Sequence, residues 1–181
     1  MDEHDELREE ILIARAQCGD GQAFLRLVER YHGRLLFYIR RLAGTGDQAE
    51  DILQNVWLHA IRQIGRLRCT EAFAVWIYRI AHNQAMQALR DELRYTALEE
   101  TEEPAAPEEE DDPWLAEDVA LVQEGLLHLR PEHREVITLR FLEEMSYGEI
   151  AAVTGVPPGT VRSRLHYAKR HLKRFIEEKR P

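Results

Sequence analysis

The sequence predicts an all-α protein with two small helical domains joined by an acidic, flexible linker. Three observations support this fold class. Apolar residues recur at helical spacing on both sides of the linker, no segment shows strand alternation, and an acidic, proline-containing segment separates the two helical parts. We therefore expect domains at 1–95 and 119–181, with the linker at 96–118. The C-terminal domain is expected to be a helix-turn-helix.

Four helices are predicted in the N-terminal domain. Apolar residues return every three or four positions in 7–18, 24–42, 52–64 and 73–93. A short polar loop, 66–72, separates the last two of these segments. The domain is therefore expected to consist of one short helix followed by three longer ones.

Local signals mark the ends of the second and third helices. The segment 44–46 contains two glycines and stops the second helix. Asp47 followed by Glu50 resembles a capping box that starts the third helix. Gly65 is expected to end that helix.

The third helix is predicted to have an apolar side and a polar side. Ile52, Val56 and Ile61 are expected to lie on the apolar, buried side. The polar side is available to a protein partner. It carries Asp51, Gln54 and Asn55.

The C-terminal domain begins with two predicted helices, 119–129 and 131–142. The second of these has Pro131 at its first position, where a missing backbone N–H costs nothing. Each is long enough to contribute one side to a small core.

A helix-turn-helix follows. Ser146 and Glu149 form a capping box, and Gly155 supplies a residue without Cβ where the chain turns. A second helix restarts near 157–158. The spacing of three residues is typical of this motif. Ala151 is the small residue where the two helices cross, Gly155 is in the turn, and Val161 packs the second helix against the first.

The last helix is predicted to have a basic face. Its buried edge consists of Val161, Leu165, Ala168, Leu172 and Phe175. We expect contacts to base edges from its first turns and contacts to phosphates further along. The base candidates are Thr160, Arg162, Ser163 and His166. The phosphate candidates are Arg170, Lys173 and Arg174. The DNA-binding set also includes Lys169 and Arg164, which lies nearer the core. The alternative is a basic face that is simply solvated.

The charge distribution is compatible with a nucleic-acid partner although the net charge is −9. The segment 96–118 contains eleven acidic residues and no basic ones, while the helical segments 21–95 and 119–181 are mildly basic. The acidic average therefore comes from the linker and the first twenty residues.

Composition and motifs exclude several other classes. Cys18 and Cys69 have no zinc or disulfide spacing, and no apolar run approaches a signal sequence or a membrane span. We therefore expect a cytoplasmic protein with no membrane insertion of its own. No metal-ligand pair, nucleophile elbow or phosphate loop is present, so we expect no metal, no cofactor and no enzymatic activity. Redox sensing by the cysteines is an alternative to their role as small hydrophobes, and Cys69, in the loop, is the better candidate.

The chain resembles the extracytoplasmic-function (ECF) sigma factors in two separate places. The stretches 129–136, 145–151 and 159–166 resemble region four of these proteins, and 19–24, 49–57 and 73–83 resemble successive parts of region two. Two resemblances in the right order indicate a sigma factor of the sigma-70 family.

The resemblance implies an alternative sigma factor that binds core RNA polymerase and directs promoter-specific initiation. Region four would read the minus-thirty-five element, and region two would bind the polymerase and open the minus-ten element. Implied partners are core RNA polymerase, promoter DNA and an anti-sigma factor. The polymerase-binding candidates are Asp47, Glu50, Asp51, Leu53, Gln54, Asn55 and Trp57.

Strand opening needs unstacked bases held beside a basic track. The minus-ten candidates are Arg66, Arg68, Trp76, Arg79, Asn83, Gln87 and Arg90, although Trp76 is equally compatible with an ordinary core position. The chain departs from the family here, because Asp91 and Glu92 interrupt the basic run that relatives usually carry. We therefore expect weak, salt-sensitive minus-ten binding.

Several alternatives remain open at this stage. The acidic linker either threads the polymerase channels, folds back on the basic last helix as an autoinhibitor, or is a solvated spacer. The function has two rivals: a sigma-like decoy that sequesters an anti-sigma factor, and a simple helix-turn-helix transcriptional regulator. The second rival leaves the N-terminal resemblance unexplained.

Overall fold

The computed structural model describes residues 3–44, 47–96 and 121–179. Contacts between Cα atoms divide the chain into two units, Met1–Glu100 and Thr101–Pro181. All the regular elements in the described residues are helical, so the all-α prediction is confirmed. Apart from Thr96, the linker predicted at 96–118 lies outside the described residues, as do the side chains of Asp47 and Glu92.

Within residues 3–44 and 47–96, the first unit has four α-helices and two short 3₁₀ turns. The helices are α1 (Glu3–Gln17), α2 (Gly21–Ala43), α3 (Asp47–Gln63) and α4 (Phe73–Thr96). The turns are Ile64–Arg66, at the predicted end of the third helix, and Thr70–Ala72, in the segment predicted as a loop. We call the stretch that contains both turns the loop 64–72. Helix α1 therefore begins earlier than expected.

The end of α3 differs from the prediction. A left-handed glycine cap requires a positive φ. Gly65 has no positive φ, and it lies inside the turn Ile64–Arg66. Gly44 does have a positive φ of 85°, and it ends α2 as expected. Helix α3 therefore tightens into a 3₁₀ turn, which buries Ile64.

Aromatic side chains form the centre of the first unit. Tyr31 packs edge-on against Phe73, with ring centroids 5.3 Å apart, and Tyr38 packs in the same way against Tyr78 at 5.2 Å. All four side chains are buried. These contacts join α2 to α4 and make the unit a single core.

A buried carboxylate links α1 to α2. Glu9 accepts a hydrogen bond from the Tyr31 hydroxyl at 2.7 Å, and its other oxygen lies 2.8 Å from Nε of Arg30. Burial and the neighbouring Glu9 raise the pKa of Tyr31, so this hydroxyl remains a donor.

Removing this carboxylate should destabilise the first unit. We expect Glu9→Ala to lower the free energy of unfolding by about 2–3 kcal/mol, because Arg30 and Tyr31 lose a partner inside the protein. Urea denaturation followed by circular dichroism measures the change. The control is Glu29→Ala, which removes an exposed partner of Arg26 and should cost under about 0.5 kcal/mol. Equal losses in the two variants contradict the prediction.

The second unit contains the described part of a helix, α5 (121–127), followed by α6 (Pro131–Phe141), α7 (Tyr147–Thr154) and α8 (Pro158–Lys179). Helix α8 packs against both α6 and α7. The core of the unit includes Val136, Leu139, Ile150, Val153, Val161 and Leu165.

Helix α5 approaches α8 closely at Gly125. A Cβ atom built on Gly125 would lie 2.6 Å from Cδ1 of Leu172 and 2.9 Å from Cδ1 of Phe175. Leu172 and Phe175 are half-buried rather than fully buried, so the predicted edge of α8 becomes shallower towards its C-terminus. Glycine at 125 allows this contact between α5 and α8.

Candidate nucleic-acid and protein interfaces

The turn before α7 is held by side chains of the second unit. Nη1 of Arg140 donates to the Met145 carbonyl at 2.8 Å, and Glu144 has a positive φ of 56°. Ser146 then caps α7 by accepting from the N–H of Glu149, whose side chain accepts from the N–H of Ser146. The predicted capping box is therefore present, and it fixes where α7 starts.

The turn between α7 and α8 has the predicted geometry. Gly155 has a φ of 73° and its N–H donates to the Ala151 carbonyl. Ile150, Val153 and Val161 are buried, so α7 and α8 are anchored on the same core. Helix α8 restarts at Pro158, as expected.

The first turns of α8 expose the predicted base-reading side chains. Arg162, Ser163 and His166 are exposed, whereas Thr160 and Arg164 are half-buried. Ser163 Oγ donates to the Thr160 carbonyl at 2.9 Å, which occupies its hydroxyl proton and leaves its oxygen to accept. Arg162 is therefore the strongest exposed donor at the N-terminal end of this helix.

Tyr167 is a candidate that the sequence patterns missed. Its ring is 48% exposed and lies 5.6 Å from the His166 ring, edge to face. The His133 ring of α6 is stacked on the Tyr167 ring, with the two centroids 6.5 Å apart. Burial lowers the pKa of His133. An aromatic residue beside a basic face offers apolar contact to a base edge or a sugar. Steps of three and four along the buried edge assign Tyr167 to neither face, so periodicity did not find it.

Two of the three predicted phosphate-binding residues further along α8 have protein partners, as does Lys169. Lys173 Nζ lies 3.6 Å from Glu177, and Nε of Arg174 lies 3.8 Å from Glu178. Lys169 Nζ lies 4.8 Å from the centroid of the Phe141 ring. These exposed pairs are weak and exchange readily for phosphates, but they make the last turns of α8 less basic than the sequence predicted. Arg170 is exposed beside them.

The first unit has a groove between α2 and α3. Its volume is about 600 Å³. Its apolar lining consists of Phe24, Val28, Leu53, Trp57, Leu58 and Ile61, and polar side chains at its rim are His32, Glu50, Asp51 and Gln54. An apolar floor with an acidic rim fits a protein partner that has apolar and basic side chains.

The prediction that Ile61 is buried is wrong. Ile61 is 55% exposed and lines the groove together with Leu58, which is 45% exposed. Ile52 and Val56 are buried as expected. The buried side of α3 is therefore narrower than its apolar residues suggested, because part of the apolar surface belongs to the groove.

The polymerase-binding candidates have different positions around this groove. Asp51 and Gln54 are exposed at its rim, and Glu50 is exposed and pairs with Arg40 at 3.3 Å. Leu53 is buried and can act only through the groove floor. Trp57 is part of the groove lining. Asn55 is exposed but does not line the groove.

Trp57 has an unsatisfied donor in the free protein. Its side chain packs edge-on against Phe24 at 6.0 Å, and its Nε1 atom is buried without a hydrogen-bond partner. A buried N–H without an acceptor lowers the stability of the free protein.

The minus-ten candidates lie on one side of α4 and on the loop before it. Arg79, Asn83, Gln87 and Arg90 are exposed at steps of three and four, and Trp76 is half-buried against Phe73. Arg66 and Arg68 of the loop are exposed. The structure therefore leaves all these cations accessible within one unit.

An acidic residue occupies part of this face. Gln87 Nε2 donates to both carboxylate oxygens of Asp91, at 3.0 and 2.9 Å, and Arg90 donates to Gln87 Oε1 at 3.2 Å. Both the nitrogen and the oxygen of the Gln87 amide are therefore hydrogen-bonded within α4. The interruption expected from the sequence is present at Asp91.

The cysteines are not small hydrophobes in a core. Cys18 and Cys69 are both exposed, which is contrary to that interpretation. The Cys69 thiol donates to Glu71 Oε2 at 2.6 Å, and this hydrogen bond raises the pKa of Cys69. Because the thiolate is the reactive form, Cys69 is a poorer redox sensor than its loop position suggested.

Two further findings bear on the class of protein. Within the described ranges, no helix is both long enough and apolar enough to cross a membrane. In the same part of the chain, no three His, Cys, Asp or Glu side chains are grouped to hold a metal ion.

A helix-turn-helix unit with a basic helix, preceded by a helical unit with an apolar groove and an acidic rim, is typical of a DNA-binding protein that also binds a protein partner. Comparison with known families gives its type. Residues 27–95 match the family model described as Sigma-70 region 2, and residues 120–172 match Sigma-70, region 4.

Curated relatives are similar over nearly the whole chain. RNA polymerase sigma factor CarQ of Myxococcus xanthus is 34% identical, covering 92% of this chain and 96% of that protein. The ECF RNA polymerase sigma-E factor of Escherichia coli K12 is 32% identical, covering 96% of each. The chain therefore belongs to the ECF sigma factors of bacterial RNA polymerase.

Solved structures show the same fold. The sigma factor RpoE of Bartonella quintana, in complex with the anti-sigma factor NepR, aligns with a TM-score of 0.76 and 21% identity, covering 87% of this chain and 98% of that chain. CnrH, in complex with the cytosolic domain of CnrY, aligns with a TM-score of 0.70 and 24% identity, covering 96% and 99%.

Proposed function

We propose that this protein is an alternative sigma factor that binds core RNA polymerase and directs initiation at a specific set of promoters. The observation that carries the proposal is the presence of both sigma regions in order on one chain, each with an accessible surface suited to its role. The domain bounds that go with it are 1–95 for region two, 96–118 for the linker and 119–181 for region four.

The two units have separate tasks in this proposal. The groove between α2 and α3 binds the polymerase, since it combines exposed apolar side chains with acidic Glu50 and Asp51. The first turns of α8 read the minus-thirty-five element in the major groove, led by Arg162. The loop 64–72 and the exposed side of α4 bind the opened minus-ten strand.

Run-off transcription with purified core polymerase tests the proposal. Genomic fragments serve as templates, and the expected result is a set of discrete transcripts that require the added chain. Core binding without any transcript favours the decoy, and DNA binding without core binding favours the simple regulator. The decoy has one observation in its favour, the Gln87–Asp91 contact in the minus-ten face.

An anti-sigma factor is part of the proposed cycle, since the two structural neighbours described above were solved with bound partner proteins. The partner of this chain is expected to compete with core polymerase. Purification of the tagged chain from its native cells, followed by mass spectrometry, should recover such a partner in a fraction free of polymerase. Recovery with polymerase alone contradicts this part of the proposal.

We further propose that the protein acts in the cytoplasm, where polymerase and promoter DNA are found. It contributes recognition and strand binding rather than bond chemistry, which remains the task of the polymerase. No metal and no cofactor are part of this proposal.

Releasing Gln87 should strengthen binding to the minus-ten strand. We expect Asp91→Ala to raise the affinity of the holoenzyme for a single-stranded minus-ten oligonucleotide about threefold at low salt, because a negative charge leaves the face and the Gln87 amide becomes available. Fluorescence anisotropy measures the affinity, and the gain should shrink as salt is added.

Glu29→Ala is the matched control for this charge change. Glu29 is an exposed acid on α2, so its removal alters the net charge equally without touching α4. An equal gain in both variants, or none with Asp91→Ala, contradicts the prediction.

A further inference from the structure

The side chain of Gln17 joins the end of α1 to the loop 64–72. Its amide nitrogen donates to the Ile64 carbonyl at 3.1 Å and to the Leu67 carbonyl at 2.7 Å. An amide nitrogen has two protons, so both are used. The side chain is half-buried, and the residues it contacts are 47 and 50 positions away in the sequence. This is a long-range connection, not local capping.

The two carbonyls lie on either side of Gly65 and Arg66. Arg68 follows one residue later, so Gln17 holds the backbone from which both loop arginines project. A Cβ atom built on Gly65 would have no neighbour within 4 Å, which means that the outer side of this stretch is open. The loop is therefore held from the α1 side and accessible from the other.

The loop has few hydrogen bonds of its own. The Leu67 N–H donates to the Ile64 carbonyl at 3.1 Å, and the Ala72 N–H donates to the Cys69 carbonyl at 3.3 Å. Each of these two bonds closes one short turn. A third, from the Phe73 N–H to the Thr70 carbonyl, joins the end of the loop to the start of α4, and none of the three joins the loop to α1. Burial of Ile64 anchors the start of the loop. Further along, the Gln17 amide joins the Leu67 carbonyl to α1, a helix that is packed into the core.

We propose that Gln17 is a positioning residue that holds the loop 64–72 ready to receive unstacked bases of the minus-ten strand. The inference rests on the proposed role of this loop in strand binding. A pocket for an extruded base is effective when its backbone and cations are already in place, because ordering them on binding costs affinity. Gln17 reduces that cost without contacting DNA.

The structure separates this role from general stability. Helix α1 is attached to α2 by other contacts: Ile13 and Ala16 are buried in the core, and Arg15 lies 2.6 Å from Asp20. Removal of the Gln17 amide should therefore loosen the loop more than the unit.

Two substitutions test the inference in the holoenzyme. Gln17→Met keeps the length and shape of the side chain but has no donor, and Gln17→Lys restores a donor at similar length. The probe is a fluorescent single-stranded oligonucleotide with the nontemplate minus-ten sequence of a promoter that the wild-type holoenzyme transcribes, together with versions that carry single-base changes.

We expect Gln17→Met to weaken binding of this oligonucleotide about tenfold and to flatten the preference among the single-base versions, because two hydrogen bonds that order the loop are lost. Gln17→Lys should recover at least part of both. Affinity for core polymerase should be unchanged. A lower melting temperature of Gln17→Met with unchanged strand affinity and base preference overturns the inference.

Arg66→Ala and Arg68→Ala distinguish this inference from the proposed function. If both leave strand affinity unchanged, the loop is not a strand-binding site, and both its task in the proposed function and the role of Gln17 are refuted, while the sigma-factor function itself is still tested by run-off transcription. If both weaken binding while Gln17→Met does not, only the role of Gln17 is refuted.

Discussion

Ile61→Asp is expected to lower the affinity for core RNA polymerase about a hundredfold without unfolding the chain. Ile61 is 55% exposed in the free protein, so a carboxylate at this position stays in water and the helix tolerates it. In the complex the same carboxylate would be buried in an apolar groove beside acidic Glu50 and Asp51. Burying a charge without a partner costs several kcal/mol, and the cost falls entirely on binding.

Ile11→Asp is the matched control. Ile11 is 51% exposed on α1 and does not line the groove, so it carries the same chemical change at another apolar surface position of the first unit. Titration of fluorescent chain with core polymerase should detect a large loss for Ile61→Asp and almost none for Ile11→Asp. Thermal melting of both variants checks the fold. Similar affinities for the two variants contradict the assignment of the groove to polymerase.

The example of Ile61 also indicates where sequence patterns stop being informative. Helical periodicity identifies apolar residues that return to one side, but it does not separate a core from an apolar groove that faces a partner. Both need leucine, isoleucine and tryptophan at the same spacing. Only the position of α2 beside α3 decides that Leu58 and Ile61 line a groove while Val56 is buried.

The helix-turn-helix was predictable almost in full, for a physical reason. Its determinants are local: a capping box at Ser146, a left-handed glycine at Gly155 and buried positions on α7 and α8 are each specified by neighbouring residues. The same applies to the C-terminal end of α2, at Gly44. Local rules were sufficient at these positions, but the same glycine rule failed at Gly65, which lies inside a 3₁₀ turn.

Long-range contacts were not predictable in this way. The hydrogen bonds of Gln17 to the loop 64–72 and the ion pair of Glu9 with Arg30 join residues that only the tertiary fold brings together. No spacing rule relates their positions. The close packing of α5 on α8 at Gly125 was not predictable either. From sequence, a glycine inside a helix indicates lower helix stability and does not indicate a contact with another helix.

Exposed charges formed an intermediate case. Periodicity placed Lys173 and Arg174 correctly on the surface of α8, and the glutamates four residues later are visible in the sequence. The resulting pairs make these two residues weaker candidates for DNA than Arg162, which has an exposed side chain in the first turns of the helix.

Arg162→Ala is expected to reduce transcription from the cognate promoter about tenfold to a hundredfold, and to relax the preference for the bases of the minus-thirty-five element. An arginine at the N-terminal end of a recognition helix can donate two hydrogen bonds to one guanine, and loss of such a pair costs about 1–3 kcal/mol of discrimination.

Lys173→Ala is the control, because Lys173 is paired with Glu177 and lies three turns further along α8. It should weaken binding slightly and equally for all sequences, with a smaller salt dependence. Run-off transcription on templates with single-base changes measures both variants. A uniform loss with Arg162→Ala, without any change in base preference, would mean that Arg162 contacts a phosphate and that the first turns of α8 position the protein on DNA without reading it.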